Sequence, residues 1–286
     1  MSNAPERTTS WDEAAAGWNH HSNLIHQWLQ DITQTMLDDA RIAKGMRVLD
    51  VAAGAGDQTL DIARRVGPRG RVLATDLSPG ILALAQANAA AAGLAQVSTQ
   101  VADAQALGLA GAGFDAAVCR LGLMFCRSPL MALNSIRMAL RPNGRFSALV
   151  FGPPEDNPCL TIAFAAVRKH LCLADAETGR FGNSDDAGAL MSLGKPGLLH
   201  ELLIDTGFAD VAVHSVPAPF FASSAAHYVD FLRSSASPLM ALLMPLAKSE
   251  QQAAWGDMTE QLRKFDVPGG WRGPNQLLLC TAVSPA

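Results

Sequence analysis

Apolar positions along this chain follow two rhythms, and their alternation outlines a fold. From residue 22 to about 40, Ile25, Trp28, Leu29, Ile32 and Met36 recur every three or four residues, which predicts an amphipathic helix. A shorter helical piece, with Trp11, Ala15 and Trp18 on one face, is expected before it. Residues 46–51 form a short run rich in Val and Leu, read as a buried strand; helical spacing then returns from Asp57 to Val66 and stops at a GPRG turn. The next strand, RVLATD, ends on Asp76. Ser78 then offers an N-cap, Pro79 suits the first helical position, and Gly93 is placed to end the helix with positive φ. A third strand is expected around residues 97–101, and a fourth at FDAAVC. A helix opened by Ser128 and Pro129 should follow, and a fifth strand, RFSALV, after an RPNG turn. Five strands alternating with helices predict an α/β fold, a parallel sheet covered on both faces and doubly wound through right-handed crossovers.

Beyond Phe151 the rhythm changes. Residues 158–193 read as helices with a Gly/Asp-rich break, KPGLLHELLIDTGF as a helix capped near Gly207, and ADVAVHSV as a strand. Residues 224–266 are again helical, and NQLLLCTAV closes as a last strand. The chain thus divides into an N-terminal helical lid (1–44), a ligand-binding core (45–151), and the remainder of the sheet (152–286). That last part carries helical cap insertions at about 152–193 and 224–266.

Composition narrows the partners. Of 286 residues 49% are hydrophobic and 17% charged, and the net charge of −4 comes without any Lys/Arg stripe, so a globular protein is expected and nucleic acid is not. Five cysteines without a C-x-x-C pair fit neither a disulfide framework nor a zinc cluster, and suggest a reducing cytoplasm. MSNAPERTTS lacks the cationic and apolar regions of a secretory signal, and PLMALLMPLA is too short to span a bilayer, so neither export nor a membrane is expected. A small molecule is the expected partner.

The stretch VLDVAAGAGDQT, residues 48–59, carries the chemistry. Gly54 and Gly56 follow the first buried strand, where glycine lets the backbone turn sharply and approach a ligand, and the helix starting near Asp57 presents free N–H groups. A strand-to-helix turn can also need glycine simply to close. Asp76, an acid at the end of the next strand and twenty residues after Gly56, tips the balance toward a nucleoside, because such an acid can accept hydrogen bonds from ribose hydroxyls. A dinucleotide fingerprint would place a third glycine where Thr59 stands, and a phosphate-binding P-loop would need a Lys-Ser or Lys-Thr that is absent.

VLDVAAGAGDQT, followed in order by VLATDLSPGILALA, VADAQAL, FDAAVCRLGLMF and LRPNGRF, resembles the class I S-adenosylmethionine-dependent methyltransferases, particularly their ubiquinone/menaquinone-type small-molecule branch. The resemblance covers roughly residues 46–151, and LIDTGFADV extends it. It implies a Rossmann-like methyltransferase sheet with N-terminal helices and a helical cap, and S-adenosyl-L-methionine as cofactor with S-adenosyl-L-homocysteine as product. It also implies site roles. Asp50 would orient the loop near the methionine part, with Ala52, Gly54 and Gly56 forming the loop itself. Asp76 would bind ribose, Leu77 would lie beside adenine, Asp103 and Ala104 would meet the adenine amine and ring, and Arg120 would line the methyl-transfer end. Two positions depart from the family pattern: Ala52, where glycine is common, and Asn143, where PGG is usual. Alanine is expected to take an extended conformation there, and asparagine tolerates positive φ.

Methyl transfer from a sulfonium is an in-line displacement, so alignment and exclusion of water dominate, with a general base where the acceptor is a phenol, enol or carbon acid. His20 and His21, in the segment that folds over the cofactor in similar proteins, rank first as base. His26 sits one residue off its helix's apolar face. His20, His21 and His26 lack the spacing and glutamate of a zinc helix, so no metal is expected. Trp18, Met124, Phe125, His227, Tyr228 and Phe231 are the expected acceptor-pocket residues, and a small, largely apolar or aromatic metabolite, methylated at O, N or C, is the expected acceptor. Two other readings stay open: a protein of this fold that binds the cofactor without methyl transfer, and a nicotinamide-dependent dehydrogenase, which Thr59 disfavours. By analogy with the fold, an exposed apolar face on the N-terminal or late helices could pair two subunits as a homodimer.

Overall fold

The computed structural model describes residues 20–171 and 188–286. The expected helix with Trp11 and Trp18, together with the Gly/Asp-rich break, Cys172 and Phe181, lies outside the described residues. Helix α1, Ser22–Asp39, leads into strand β1, Arg47–Val51; α2, Asp57–Val66, follows, then β2, Arg71–Asp76, α3, Pro79–Ala91, and β3, Val97–Val101. Next come β4, Phe114–Arg120, α4, Pro129–Ala139, and β5, Leu140–Phe151. These boundaries match the sequence reading closely, because caps set them. Ser78 Oγ accepts from the Ile81 amide at 3.0 Å, Ser128 Oγ from the Met131 amide at 3.3 Å, and Gly93 ends its helix at φ +70°.

One sheet of seven strands runs in the order β3-β2-β1-β4-β5-β10-β6. β1 to β5 pair in parallel, as expected. β6, Ala209–Pro217, and β10, Gln276–Val283, complete it, with β10 antiparallel to both neighbours. The chain leaves β1 toward β2 on one side and returns to β4 on the other. This opens a crevice at the carboxyl ends of β1 and β4, where doubly wound sheets bind ligands.

Three features differ from expectation. β5 begins at Leu140, not after the RPNG turn. Leu140 pairs with Phe114 and Arg145 with Ala116, so the intervening residues loop out of the ladder, with Asn143 at φ +61°. A second, three-stranded sheet, β7-β9-β8, was not foreseen; it is built from Phe220–Ala222, Gly270–Gly273 and Asp266–Val267, strands too short to leave a periodicity. Ala52 is not extended: it lies at φ +54°, in the left-handed region.

The helices after β5 are α5, Pro158–His170, α6, Leu198–Asp205, α7, Ala225–Ser235, α8, Ser237–Leu243, and α9, Lys248–Leu262. Aromatic packing joins them to the sheet's edge. Tyr228 of α7 stacks on Trp271 of β9 with ring centres 4.5 Å apart, and Trp271 Nε1 donates to the Leu262 carbonyl at 2.8 Å. Trp28 of α1 packs against Phe151 and Phe220, and its Nε1 donates to the Ala218 carbonyl at 2.8 Å. Among the described residues, no helix is long and apolar enough to cross a membrane.

Candidate cofactor cleft and acceptor chamber

The crevice is a cleft of about 640 Å³ lined by the loops after β1, β2, β3 and β4 and by one face of α1. Ala52, Gly54, Asp76, Leu77, Asp103, Ala104 and Arg120 all line it. A Cβ added to Gly54 would meet nothing nearer than Ile81 Cδ1 at 4.0 Å, so this glycine leaves open space where a ligand can approach the backbone. The Gly54 amide donates to Asp76 Oδ2 at 3.0 Å and the Ser78 amide to Oδ1 at 3.1 Å. These bonds fix the carboxylate at the wall of the cleft, where an acid at the end of the second strand can meet the hydroxyls of a ribose. Asp103 is braced in the same way, accepting from the Gln105 amide at 2.9 Å while it faces the cleft.

Two of the expected loop residues act from behind the cleft. Asp50 is fully buried, and accepts from Gln58 Nε2 at 2.9 Å and Thr59 Oγ1 at 2.6 Å, so it ties the start of α2 to the end of β1 without lining the cleft. Burial pushes its carboxyl up to about 6 against the opposing pull of those hydrogen bonds and of Arg120. Thr59, which replaces the third glycine of a dinucleotide loop, therefore has a positive use. Gly56 stands at φ +92° before α2, and a Cβ there would come within 3.1 Å of Ala85, so it permits close packing of the loop on α3.

The histidines are arranged otherwise than the sequence suggested. His20 is exposed and lies edge-on to His21, and His21 packs edge-on against Phe231 with centres 5.5 Å apart. Neither lines the cleft. Burial, then repulsion from His20, lowers the His21 pKa. His227 also stays away, its Nδ1 3.0 Å from Ser223 Oγ on the surface. The histidine that does line the cleft is His26, whose Nδ1 is 2.9 Å from Asp57 Oδ1. Asp57 also receives Arg120 Nη2 at 2.7 Å, and Arg120 Nη1 donates to Thr33 Oγ1 at 2.8 Å. The chain Thr33, Arg120, Asp57, His26 fixes the imidazole by its Nδ1 side and leaves Nε2 as the other ring nitrogen for chemistry. Asp57 was legible only as a helix start, because its partner lies 31 residues away and meets it only when α1 crosses the N-terminus of α2.

Beside the cleft lies a second, smaller chamber of about 80 Å³, and Leu121 and Phe125 belong to the walls of both. Met124, Phe125, Tyr228 and Phe231, expected in the acceptor pocket, all line this chamber, and His227 does not. Trp28 and Phe151 were not singled out as pocket residues, since each was read only as part of a regular element of the fold.

Such a cleft at the switch point of a doubly wound sheet, with a braced acid at the end of β2, defines a nucleoside-binding α/β enzyme. A family model described as a methyltransferase domain matches residues 48–144. The ubiquinone/menaquinone biosynthesis C-methyltransferase UbiE of Klebsiella pneumoniae (strain 342) is 30% identical over 186 residues, 64% of this chain and 74% of that protein. In fold, the chain is similar to the [4+2]-cyclase SpnF, with a TM-score of 0.55 and 20% identity over 90% of this chain and 80% of that one. Phosphoethanolamine N-methyltransferase 2 of Haemonchus contortus, solved with S-adenosyl-L-methionine, gives a TM-score of 0.54 and 17% identity, covering 90% of this chain and 53% of that one. The chain belongs to the class I S-adenosylmethionine-dependent methyltransferases, in their ubiquinone/menaquinone-type branch. Its cofactor is S-adenosylmethionine.

Proposed function

We propose that this methyltransferase acts on a small, largely apolar or aromatic acceptor, that the methyl group goes to carbon, and that His26 takes the proton the acceptor loses. The observation that carries the reading is the apolar chamber sharing Leu121 and Phe125 with the cofactor cleft, since an acceptor seated there would present its edge to that cleft. Transfer to carbon draws on the similarity to UbiE, named as a C-methyltransferase.

The cofactor, when bound, supplies an electrophilic methyl group on a sulfonium. Gly54 would give it close access to the backbone, Asp76 would accept from its ribose hydroxyls, and Leu77, Asp103 and Ala104 would hold its base. On the acceptor side, Phe125 and Leu121 exclude water and align the nucleophilic carbon for in-line displacement. An acceptor carbon that received the methyl group would have a proton to lose. With its Nδ1–H directed to Asp57, His26 accepts that proton on Nε2, and the carboxylate stabilises the resulting imidazolium. The segments 1–44, 152–193 and 224–266 would supply lid and cap, a division supported by the chamber walls coming from α1, α5 and α7.

The test is incubation of the protein and S-adenosylmethionine with phenols, naphthols and hydroquinones, scoring S-adenosylhomocysteine and locating the methyl by NMR. Ring methylation supports the reading. O-methylation would move the reaction to oxygen, and cofactor binding without any S-adenosylhomocysteine would favour the reading in which the cofactor is held and no methyl is transferred.

A further inference from the structure

The walls of the acceptor chamber are almost wholly apolar, which makes their few polar atoms informative. Trp28 Nε1 is committed to the Ala218 carbonyl, and Ser235 Oγ to the Phe231 carbonyl. Asn275 is different. It lines the chamber with only 5% of its surface exposed, and its Oδ1 is buried without a hydrogen-bond donor among the described residues. A buried amide oxygen left unpaired costs about 1–3 kcal/mol, and folded proteins satisfy nearly all such atoms.

The backbone around Asn275 gives it little freedom to turn away. Its carbonyl accepts from the Ala218 amide at 2.8 Å, and the next amide, Gln276, donates to Asn157 Oδ1 at 3.0 Å. The Gln276 carbonyl accepts in turn from Asn157 Nδ2 at 3.0 Å and the Gly152 amide at 2.9 Å. Asn275 is therefore held at the start of β10 by a braced turn. Among the described residues no Asp, Glu, Lys, Arg or His lines the chamber, so a charged ligand group meets no counter-ion from them. A neutral hydroxyl, which can donate to Oδ1, fits both conditions.

We propose that Asn275 recognises a hydroxyl group on the acceptor and so selects hydroxylated acceptors over their apolar counterparts, an inference that rests on reading the chamber as the acceptor's seat. The chamber's size places that hydroxyl. At about 80 Å³ the chamber is much smaller than the cleft of about 640 Å³ beside it. An acceptor seated in the chamber would extend past Leu121 and Phe125, which line both spaces, toward the cleft. The recognised hydroxyl is thus remote from the methylated atom and serves as an anchor. Tyr228, on the same lining, is kept as the neutral phenol by its burial and so adds no charge to the chamber.

The experiment compares 4-methylphenol with its near-isostere 1,4-dimethylbenzene, titrated by ligand-detected NMR into protein saturated with S-adenosylhomocysteine. Wild type and two variants, Asn275→Leu and Asn275→Ser, are compared, with S-adenosylhomocysteine affinity checking that each is folded. The expected result is that Asn275→Leu weakens 4-methylphenol about five- to tenfold, the size of one net neutral hydrogen bond, and leaves 1,4-dimethylbenzene within twofold or tighter. Asn275→Ser, which keeps a polar atom, should fall between. If wild type and variants bind both probes alike, hydroxyl recognition is overturned while the chamber stands as the acceptor's seat. If neither probe binds wild type, the acceptor reading falls as well.

Discussion

The Cβ of Ala52 fills the space that a side chain at Gly122 would need. Each residue follows a neighbouring strand at the cleft, β1 and β4, and a Cβ on Gly122 would overlap that of Ala52 and press on Cys119 Sγ at 3.2 Å. This pairing accounts for the alanine in a loop position where the family commonly has glycine. Left-handed alanine costs roughly 1–2 kcal/mol, and the open side of Gly122 lets the chain keep it.

The pair can be tested by a mutant cycle. Gly122→Ala should lower stability by about 1–3 kcal/mol through overpacking and weaken cofactor binding with it. Ala52→Gly alone should be close to neutral, since relieved backbone strain is offset by greater freedom of the unfolded chain. The double variant should recover most of the loss, as read by denaturant midpoints and S-adenosylhomocysteine titration; an additive result would show that the two residues do not meet.

Asp76→Ala should weaken S-adenosylmethionine binding by about a hundredfold or more, because it removes both the ribose acceptor and the carboxylate that holds the Gly54 amide. Asp76→Asn should cost less. Calorimetry distinguishes the two, and undiminished affinity in the alanine variant would place the nucleoside elsewhere.

His26→Ala should reduce kcat by about 10²- to 10⁴-fold, the usual contribution of a positioned base, while S-adenosylhomocysteine affinity stays within a few fold. Added imidazole should restore part of the rate. His20→Ala and His21→Ala should leave kcat nearly unchanged, since neither ring reaches the cleft. Should His26→Ala instead lose cofactor affinity with no rescue, the residue would be a cofactor ligand.

Asp50 makes stability depend on pH in an unusual direction. Its carboxyl is raised from 3.8 to about 6 in the folded chain, so the native state holds the proton more tightly than the unfolded state. The resulting stabilisation is complete below about 4 and is lost as pH rises through about 6. The difference amounts to roughly 3 kcal/mol. Thermal melts from pH 4 to 7 should show this component falling with pH in wild type and absent in Asp50→Asn, at the cost of rearranged bonds to Gln58 and Thr59.

Much of this fold was legible because local chemistry decides it. Serine caps followed by proline opened α3 and α4 where expected, and continuous apolar runs marked β1, β2 and β4 because both faces of those strands are covered. Part of the cleft's lining was legible as well: Gly54 and Asp76 sit at strand ends that the alternation locates, while Asp103 and Arg120 were indicated only by the family resemblance. What escaped depends on distant parts meeting. β7, β8 and β9 are two to four residues long and are held by Trp271 and its aromatic neighbours. His26 is held by Asp57, and the His21 ring packs on Phe231. Nothing in the periodicity at the start of α1 distinguishes the surroundings of these two histidines.

The position of β10 governs the order in which this enzyme can be assembled. β10 follows β6 in the chain yet lies between β5 and β6, so β6 has no sheet to join until β10 has been synthesised. On a ribosome, where earlier segments fold first, β1 to β5 can close around the cofactor cleft while β6 and the helices that follow it still wait for their partner. The arriving β10 then carries Asn275 into place. The half of the enzyme that holds the methyl donor can thus be finished before the half that chooses what receives it.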